Sequence, residues 1–266
     1  MKHLPNLLTL GNLFCGCLAI AYILTAQPFV YSNITDGSLQ WIMGTEQIYM
    51  GSIFIVIAAV FDMLDGFAAR ALNVFSPIGK DLDSLADMVS FGVAPSMILF
   101  KCLWDALMQG KNALDVSMLG MAPAFLIACF AALRLAKFNI TTSTQKNYFI
   151  GMPTPAIGLF VASFPMLIWN SPYRLPVFLQ EQNRYLWLLY AIIGLLCWLM
   201  VSKVKFFKMI PPKFKLAYCW PQLVIVLAAT ALIPFLRIAA IFPVFGLYIL
   251  LSLIYRFPED KTALNE

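Results

Sequence analysis

The sequence contains little charge. Of its 266 residues, 12% are charged and 61% are hydrophobic, and the mean hydropathy is +0.82. A soluble domain has about 25% charged and about 45–50% apolar residues, so the composition excludes an ordinary soluble globule. It also excludes a disordered chain, because disorder requires low hydrophobicity and high net charge. We therefore predict a single membrane domain over residues 1–266.

Histidine is nearly absent as well. His3 is the only one, which argues against histidine-based metal sites, general bases and catalytic triads. Six cysteines lie in or beside apolar runs, and the closest two, Cys15 and Cys17, do not have CxxC spacing. We interpret all six as small buried apolar residues. The net charge of +5 does not indicate nucleic-acid binding, because the basic residues lie between apolar runs, as membrane topology predicts.

Apolar segments long enough to cross a bilayer recur along the chain. A spanning helix needs about 20 apolar residues, and we predict an all-α integral membrane bundle of about eight such helices, at residues 6–26, 46–70, 80–104, 117–138, 153–170, 184–202, 218–236 and 238–256. No small-residue cleavage site follows the first segment, so we interpret it as a span rather than a signal peptide. The last two segments form either a tight helical hairpin, with Pro234 near its turn, or one interrupted element.

The distribution of basic residues predicts the orientation. If the N-terminus is inside and the spans alternate, 13 of the 18 lysines and arginines lie in inside segments. The positive-inside rule then places both termini in the cytoplasm, in a multi-pass protein of the cell membrane.

Acidic residues cluster where membrane helices rarely carry them. Five of the 13 fall between residues 62 and 87: Asp62, Asp65, Asp81, Asp83 and Asp87. Each charge inside a bilayer costs about 2.5–3.5 kcal/mol on insertion scales. Asp62 and Asp65 share one helix face, and Asp83 and Asp87 share a face of the next helix. A short loop between the two helices would bring these four together near the cytoplasmic face, whereas Asp81 lies off that face and is interpreted as solvated.

Four adjacent carboxylates repel one another unless cations are present. Two divalent ions would balance their charge, and oxygen ligands suit Mg²⁺, Mn²⁺ or Ca²⁺. Two such ions can stabilise the attacking and leaving oxygens in phosphoryl transfer. Acids within a membrane are also typical of proton- or cation-coupled transporters. The spacing alone therefore leaves metal-dependent chemistry and transport open.

A longer pattern surrounds these carboxylates. It reads Asp62-x2-Asp65-Gly66-x2-Ala69-Arg70-x8-Gly79-x3-Asp83-x3-Asp87. The pattern resembles the signature of the CDP-alcohol phosphotransferase family at every fixed position. The resemblance to the family's catalytic core covers about residues 1–170, and residues 171–266 are interpreted as additional transmembrane helices. Further stretches resemble the bacterial-type phosphatidylserine synthase branch of the family, namely residues 5–9, 12–16, 83–95, 134–139 and 151–155.

The resemblance implies a reaction. Members of the family transfer a phosphatidyl-type group from a CDP-linked lipid to an alcohol and release CMP. The branch implies CDP-diacylglycerol and L-serine as substrates. We also expect membrane lipids as partners, a homodimer, and no nucleic-acid partner. Two divalent cations, Mg or Mn, would be held by Asp62, Asp65, Asp83 and Asp87, and Asp87 would also act as the general base. Another acceptor, glycerol 3-phosphate or an inositol phosphate, and the transporter remain as alternatives.

The resemblance also implies contacts with the donor. Gly66 and Ala69 would leave room for the cytidine and its ribose. Arg70 would contact the nucleotide or its diphosphate, and Gly79 would permit close approach at the start of span three. Asn6 and Thr9 would lie beside the nucleotide, although Asn6 is also a candidate N-cap.

Two further features have alternative interpretations. Arg134 and Lys137, three residues apart at the cytoplasmic end of span four, would bind the serine carboxylate or a lipid phosphate, or would simply anchor the helix end by snorkelling. The segment Gly151-Met-Pro-Thr-Pro155 opens span five either as an ordinary helix start or as a helix N-terminus that faces an anion.

Overall fold

A computed structural model describes residues 3–32, 39–72, 77–108, 116–141, 148–170, 182–207 and 216–255. Within these ranges, four helical spans are long and apolar enough to cross a membrane: Leu4–Thr25, Thr45–Ala71, Ile78–Met108 and Met118–Ile140. Four further apolar helices are shorter: Thr154–Leu167, Tyr185–Val201, Trp220–Leu236 and Ile241–Ile254. A helical membrane protein is thus confirmed, while the count of eight spans stays a prediction.

The helices follow one another with short interruptions. In chain order they are α1 (Leu4–Thr25), α2 (Thr45–Ala71), α3 (Pro77–Asp87), a π-helix (Met88–Val93), α4 (Ala94–Met108), α5 (Met118–Met121), a 3₁₀ turn (Ala122–Phe125), α6 (Leu126–Thr141), α7 (Thr154–Asn170), α8 (Gln182–Val201), α9 (Leu216–Leu236), a 3₁₀ turn (Arg237–Ala240) and α10 (Ile241–Ile254). From α3 to α4 the chain is one continuous span, and it is the most deeply buried of the four long ones.

Two short strand pairs, which the sequence analysis did not predict, connect helix ends. Strands β1 (Pro28–Ser32) and β2 (Leu39–Met43) pair antiparallel between α1 and α2. Strands β3 (Tyr148–Ile150) and β4 (Lys205–Phe207) also pair antiparallel, and they hold the start of α7 against the end of α8.

The start of α7 depends on this strand pair. The amide of Gly151 donates to the carbonyl of Val204 at 2.9 Å, and the amide of Met152 donates to that of Leu199 at 3.0 Å. Gly151 has φ +76°, and a Cβ there would collide with the Met200 carbonyl, so this position requires glycine. The amides of Ala156 and Ile157 donate to the Pro153 carbonyl. These bonds favour the ordinary helix start over an anion site.

The last two helices form a hairpin. Arg237 has φ +50° between them, and the ring of Trp220, early in α9, lies 5.8 Å from that of Tyr255, just after α10. This contact requires the two helices to run back along each other. The hairpin alternative is therefore confirmed, with the turn three residues beyond Pro234, which remains inside α9.

The interpretation of the cysteines is partly wrong. Cys15, Cys102 and Cys197 are buried as predicted, but Cys17 and Cys129 are exposed on their helices. In an apolar membrane helix, the outward face is as apolar as the inward one, so hydrophobic surroundings in the sequence do not identify the buried face.

Gly16 lets α1 approach the π-helix closely. A Cβ atom at Gly16 would lie 3.0 Å from Ser90 Cα, a backbone atom that no rotamer change can move. We expect Gly16→Ala to destabilise the protein by about 1–3 kcal/mol, the usual cost of overpacking, measured by thermal unfolding in detergent. Gly194→Ala is the control, since its Cβ would meet nothing within 4 Å. Equal melting temperatures for the two variants would contradict this packing.

Candidate active site

Three of the four predicted carboxylates meet. Asp62 on α2 and Asp83 and Asp87 on α3 each offer an oxygen, and these oxygens lie within 4.8 Å of one another. The i,i+4 spacing puts Asp83 and Asp87 on one face of α3, and α2 and α3 both pack against α1. Asp87 is buried and Asp62 and Asp83 are half-buried. Asp81 is exposed, as its position off this face predicts.

Asp65 lies beside this cluster. Its carboxylate is buried and is close enough to Asp62 and Asp83 to interact electrostatically. One of its oxygens, Oδ2, has no hydrogen-bond partner. A buried carboxylate oxygen without a partner is costly, and a cation beside it would remove that cost.

Asn12 is a site residue that the sequence analysis placed only in a stretch, residues 12–16, that resembles the branch. It is fully buried on α1, and its Nδ2 donates to Asp87 Oδ1 at 3.3 Å. Its own Oδ1 has no partner, and its backbone carbonyl accepts a bond from Ser90 Oγ at 3.1 Å. The signal for it in the sequence was its place in that stretch, one turn after Thr9. The π-helix that begins after Asp87 thus ties α1 to the acidic cluster, and such helices are frequent at functional sites.

The donor set fits a hard divalent cation. Acidic oxygens come from two helices, two buried oxygens (on Asn12 and Asp65) lack partners, and these atoms are of the type that Mg²⁺ and Mn²⁺ prefer. The cluster of carboxylates that could bind metal is therefore present, as predicted.

A buried arginine completes the polar region. Arg134 on α6 donates from Nη1 to Thr154 Oγ1 at 2.7 Å, its Nε has no partner, and it is close enough to Asp87 for electrostatic attraction. Lys137, by contrast, is exposed. Both residues line a pocket of about 270 Å³ between α6 and α8. Thr154 is a further site residue that the sequence analysis missed.

The residues predicted for the nucleotide lie on α1, α2 and α3. A Cβ at Gly66 would meet only Arg70 Nη2, at 4.0 Å, so the space beside it is open. Arg70 is exposed, and its Nε donates to the Gly66 carbonyl at 2.9 Å. Ala69 and Gly79 are half-buried. The open surface at Gly66 is compatible with the predicted approach of a ligand to α2.

On α1, Thr9 is buried and donates to the Pro5 carbonyl at 3.0 Å. The N-cap suggestion for Asn6 is wrong. The helix begins at Leu4 after His3, so Asn6 lies within the first turn. Pro5 explains the earlier start, because its fixed φ favours the first turn of a helix.

Comparison with known families identifies the chain. The model of the CDP-alcohol phosphatidyltransferase family matches residues 2–202. The chain belongs to this family. The match extends beyond residue 170, where the motif resemblance ends, and α9 and α10 lie outside it.

Relatives of this CDP-alcohol phosphatidyltransferase are similar over most of its length. A CDP-diacylglycerol–serine O-phosphatidyltransferase from Helicobacter pylori is 32% identical, over 94% of this chain and 89% of that protein. One from Bacillus subtilis is 35% identical, over 81% of this chain and 93% of that protein. An archaetidylserine synthase from Methanothermobacter thermautotrophicus is 31% identical, over 60% of this chain and 57% of that protein. The predictions of the family and of a transferase are confirmed.

A second set of contacts lies beside the motif residues of this CDP-alcohol phosphatidyltransferase. Lys80 Nζ donates to the Asn139 carbonyl at 2.8 Å, and Asn139 Nδ2 donates to Ser84 Oγ at 2.8 Å. These bonds connect α3 to the end of α6, so the helix that carries Asp83 and Asp87 is fixed to the helix that carries Arg134. Carboxylates and one guanidinium are thereby held in a fixed arrangement, suited to an anionic substrate and a proton transfer.

Proposed function

We propose that the chain transfers the phosphatidyl group of CDP-diacylglycerol to the hydroxyl of L-serine, giving phosphatidylserine and CMP. Two relatives that match most of the chain at 32% and 35% identity carry the name of this activity. The observation that supports it most directly is the convergence of Asp62, Asp83 and Asp87, all members of the family motif, beside the buried Arg134.

The carboxylates Asp62, Asp65, Asp83 and Asp87 would hold two divalent cations, Mg²⁺ or Mn²⁺. Bound there, the cations would neutralise charge on the diphosphate and on the departing CMP. The chain's own contribution is to hold these four side chains on two helices that both pack against α1.

Asp87 would take the proton of the serine hydroxyl. A protonated hydroxyl is a weak nucleophile, so a carboxylate in hydrogen-bonding reach must accept its proton during attack. Asn12 Nδ2 bonds one Asp87 oxygen and orients the carboxylate. The serine oxygen forms a bond to the phosphorus attached to diacylglycerol, the bond from that phosphorus to the CMP oxygen breaks, and CMP leaves. Direct displacement requires no covalent enzyme intermediate.

The remaining contacts are assigned by position. The CDP part of the donor would be bound by six residues: Gly66, Ala69, Arg70, Gly79, Asn6 and Thr9. Arg134 would bind the serine carboxylate, since its unpartnered Nε is buried near Asp87. Lys137 is exposed and would attract anions to the site from solvent.

We also propose the setting of the site. Eight spans with both termini in the cytoplasm, in the cell membrane, would place the carboxylates near the cytoplasmic face, where serine and the CDP head group are available. Residues 1–170 would form the catalytic core of a single domain, to which residues 171–266 add helices. A homodimer is expected from the family resemblance.

The test is release of CMP by the purified protein in detergent. We expect release from CDP-diacylglycerol with serine, but not with glycerol 3-phosphate or inositol phosphate, and we expect a chelator to stop it until Mn²⁺ or Mg²⁺ is restored. Release with a phosphorylated acceptor instead would overturn the serine assignment while keeping the metal site. No release with any acceptor, from a folded and monodisperse sample, would overturn the proposed reaction.

A further inference from the structure

A long cavity extends from the acidic cluster into the helix bundle. Its volume is about 860 Å³, within the range of about 300–1,000 Å³ that is usual for ligand pockets. Its polar end is formed by Lys80, Asp83, Ser84, Asp87, Arg134 and Asn139. Away from this end, the described lining residues carry no charge and come mainly from α7 and α10, with Ile225 from α9. The cavity is thus continuous with the site and apolar along its depth.

One wall is a single face of α7. Pro155, Leu159 and Met166 all line the cavity, and at 1.5 Å per residue the stretch between the first and the last is about 16 Å long. A second wall is a face of α10, where the lining residues have the i, i+3, i+4, i+7 spacing of one helical stripe: Ile241, Val244, Phe245 and Tyr248. The cavity therefore runs along two helices rather than spreading between loops.

The α10 wall is firmly attached to α7. The rings of Phe160 and Phe245 stack with centroids 4.0 Å apart, and those of Phe164 and Phe242 stack at 5.5 Å. Tyr248 is buried, and its hydroxyl donates to the Phe207 carbonyl at 3.3 Å. These contacts fix the hairpin formed by α9 and α10 in place, so the apolar wall exists before a ligand binds.

We propose that this cavity holds one acyl chain of the donor lipid, and that the α9–α10 hairpin sets the chain length that is accepted. The inference rests on the proposed function, because the donor's phosphate must lie at the carboxylates. From the carboxylates, the described part of the cavity extends only along its apolar lining. Moving a chain from the bilayer to the cavity gains little hydrophobic energy, since lipid tails are as apolar as leucine. Any preference must therefore come from the shape and depth of the cavity.

The experiment narrows the cavity and compares two donors. Val244→Trp places a larger side chain in the α10 wall, and kcat/KM is measured for a dioleoyl and a dihexanoyl CDP-diacylglycerol with serine. We expect the ratio of the two values to shift by at least about tenfold toward the short chain, comparable to discrimination by other apolar pockets. Leu250→Trp is the matched control, since Leu250 is on the same helix and is 57% exposed; it should leave the ratio unchanged.

A second variant keeps the inference testable if Val244→Trp does not fold. Leu159→Trp narrows the same cavity from the α7 wall and should shift the ratio in the same direction. An unchanged ratio in a folded variant, including an equal loss with both donors, would overturn the assignment and leave the hairpin with a structural role. Failure of the proposed function looks different, because the wild-type protein would then release no CMP from either donor.

Discussion

Replacing Asp83 with asparagine should lower the rate of CMP release by more than about 100-fold, because even partners that only orient metal ligands contribute about 10- to 100-fold. Asparagine keeps the shape of the side chain but removes its charge, so the fold should persist. The same change should reduce the rise in melting temperature that Mn²⁺ gives the wild-type protein, since a ligand that binds only the folded state stabilises it by mass action. CMP release and thermal unfolding are both measured over a series of Mn²⁺ concentrations.

The matched control is Asp81→Asn, the same substitution two residues earlier on α3. Asp81 is exposed and lies outside the cluster whose oxygens are within 4.8 Å, so this variant should retain both activity and the response to Mn²⁺. Equal losses in the two variants, or full activity in Asp83→Asn, would contradict the metal site. Asp65→Asn extends the comparison, and full activity there would reduce the site to three carboxylates.

The acidic cluster was accessible from sequence because its geometry is local. Asp62 with Asp65 and Asp83 with Asp87 are one helical turn apart, and this spacing determines a shared face wherever the helix lies. The apolar runs indicated where the helices lie for the same reason, because each run is also a local feature of the sequence. The one step between helices, that their carboxylates meet, followed from the short loop that joins the two helices in the sequence.

The remaining site residues depend on contacts between helices distant in the chain. Asn12 bonds Asp87 across 75 positions, and Thr154 receives its bond from Arg134 across 20. No spacing rule relates such pairs, and a threonine at a helix start, such as Thr154, is ordinary. The exposure of Cys17 was missed for a related reason. In a helix that is apolar on all sides, the sequence does not show which face meets the protein.

The cavity, likewise, could not be predicted from the sequence. Its walls come from α7 and from the α9–α10 hairpin, and the hairpin carries no motif that predicts a role. Its place beside the carboxylates is determined by the ring stacking between Phe160 and Phe245. Phenylalanine is common throughout this chain, with 22 residues, so no individual ring stands out before the fold is known.

The second large effect is expected at Arg134. Arg134→Ala should raise the KM for serine by about 30-fold or more, equivalent to about 2 kcal/mol, the lower end of the cost of removing one partner from a buried charge pair. The KM for CDP-diacylglycerol should change much less, because the proposed contact is with the acceptor. Steady-state kinetics with each substrate varied in turn measures both values, and thermal unfolding checks that the protein is folded.

Two variants separate binding from support of the fold. Arg134→Lys keeps the charge but loses the planar donor group, so its KM for serine should lie between those of the wild type and Arg134→Ala. Lys137→Ala should change that KM by less than about fivefold, since exposed ion pairs contribute about 0.2–1 kcal/mol. A fall in kcat with both KM values unchanged would show that Arg134 acts only through Thr154 and Asp87. The serine carboxylate would then have to be bound elsewhere, with Lys137 the next basic side chain along α6.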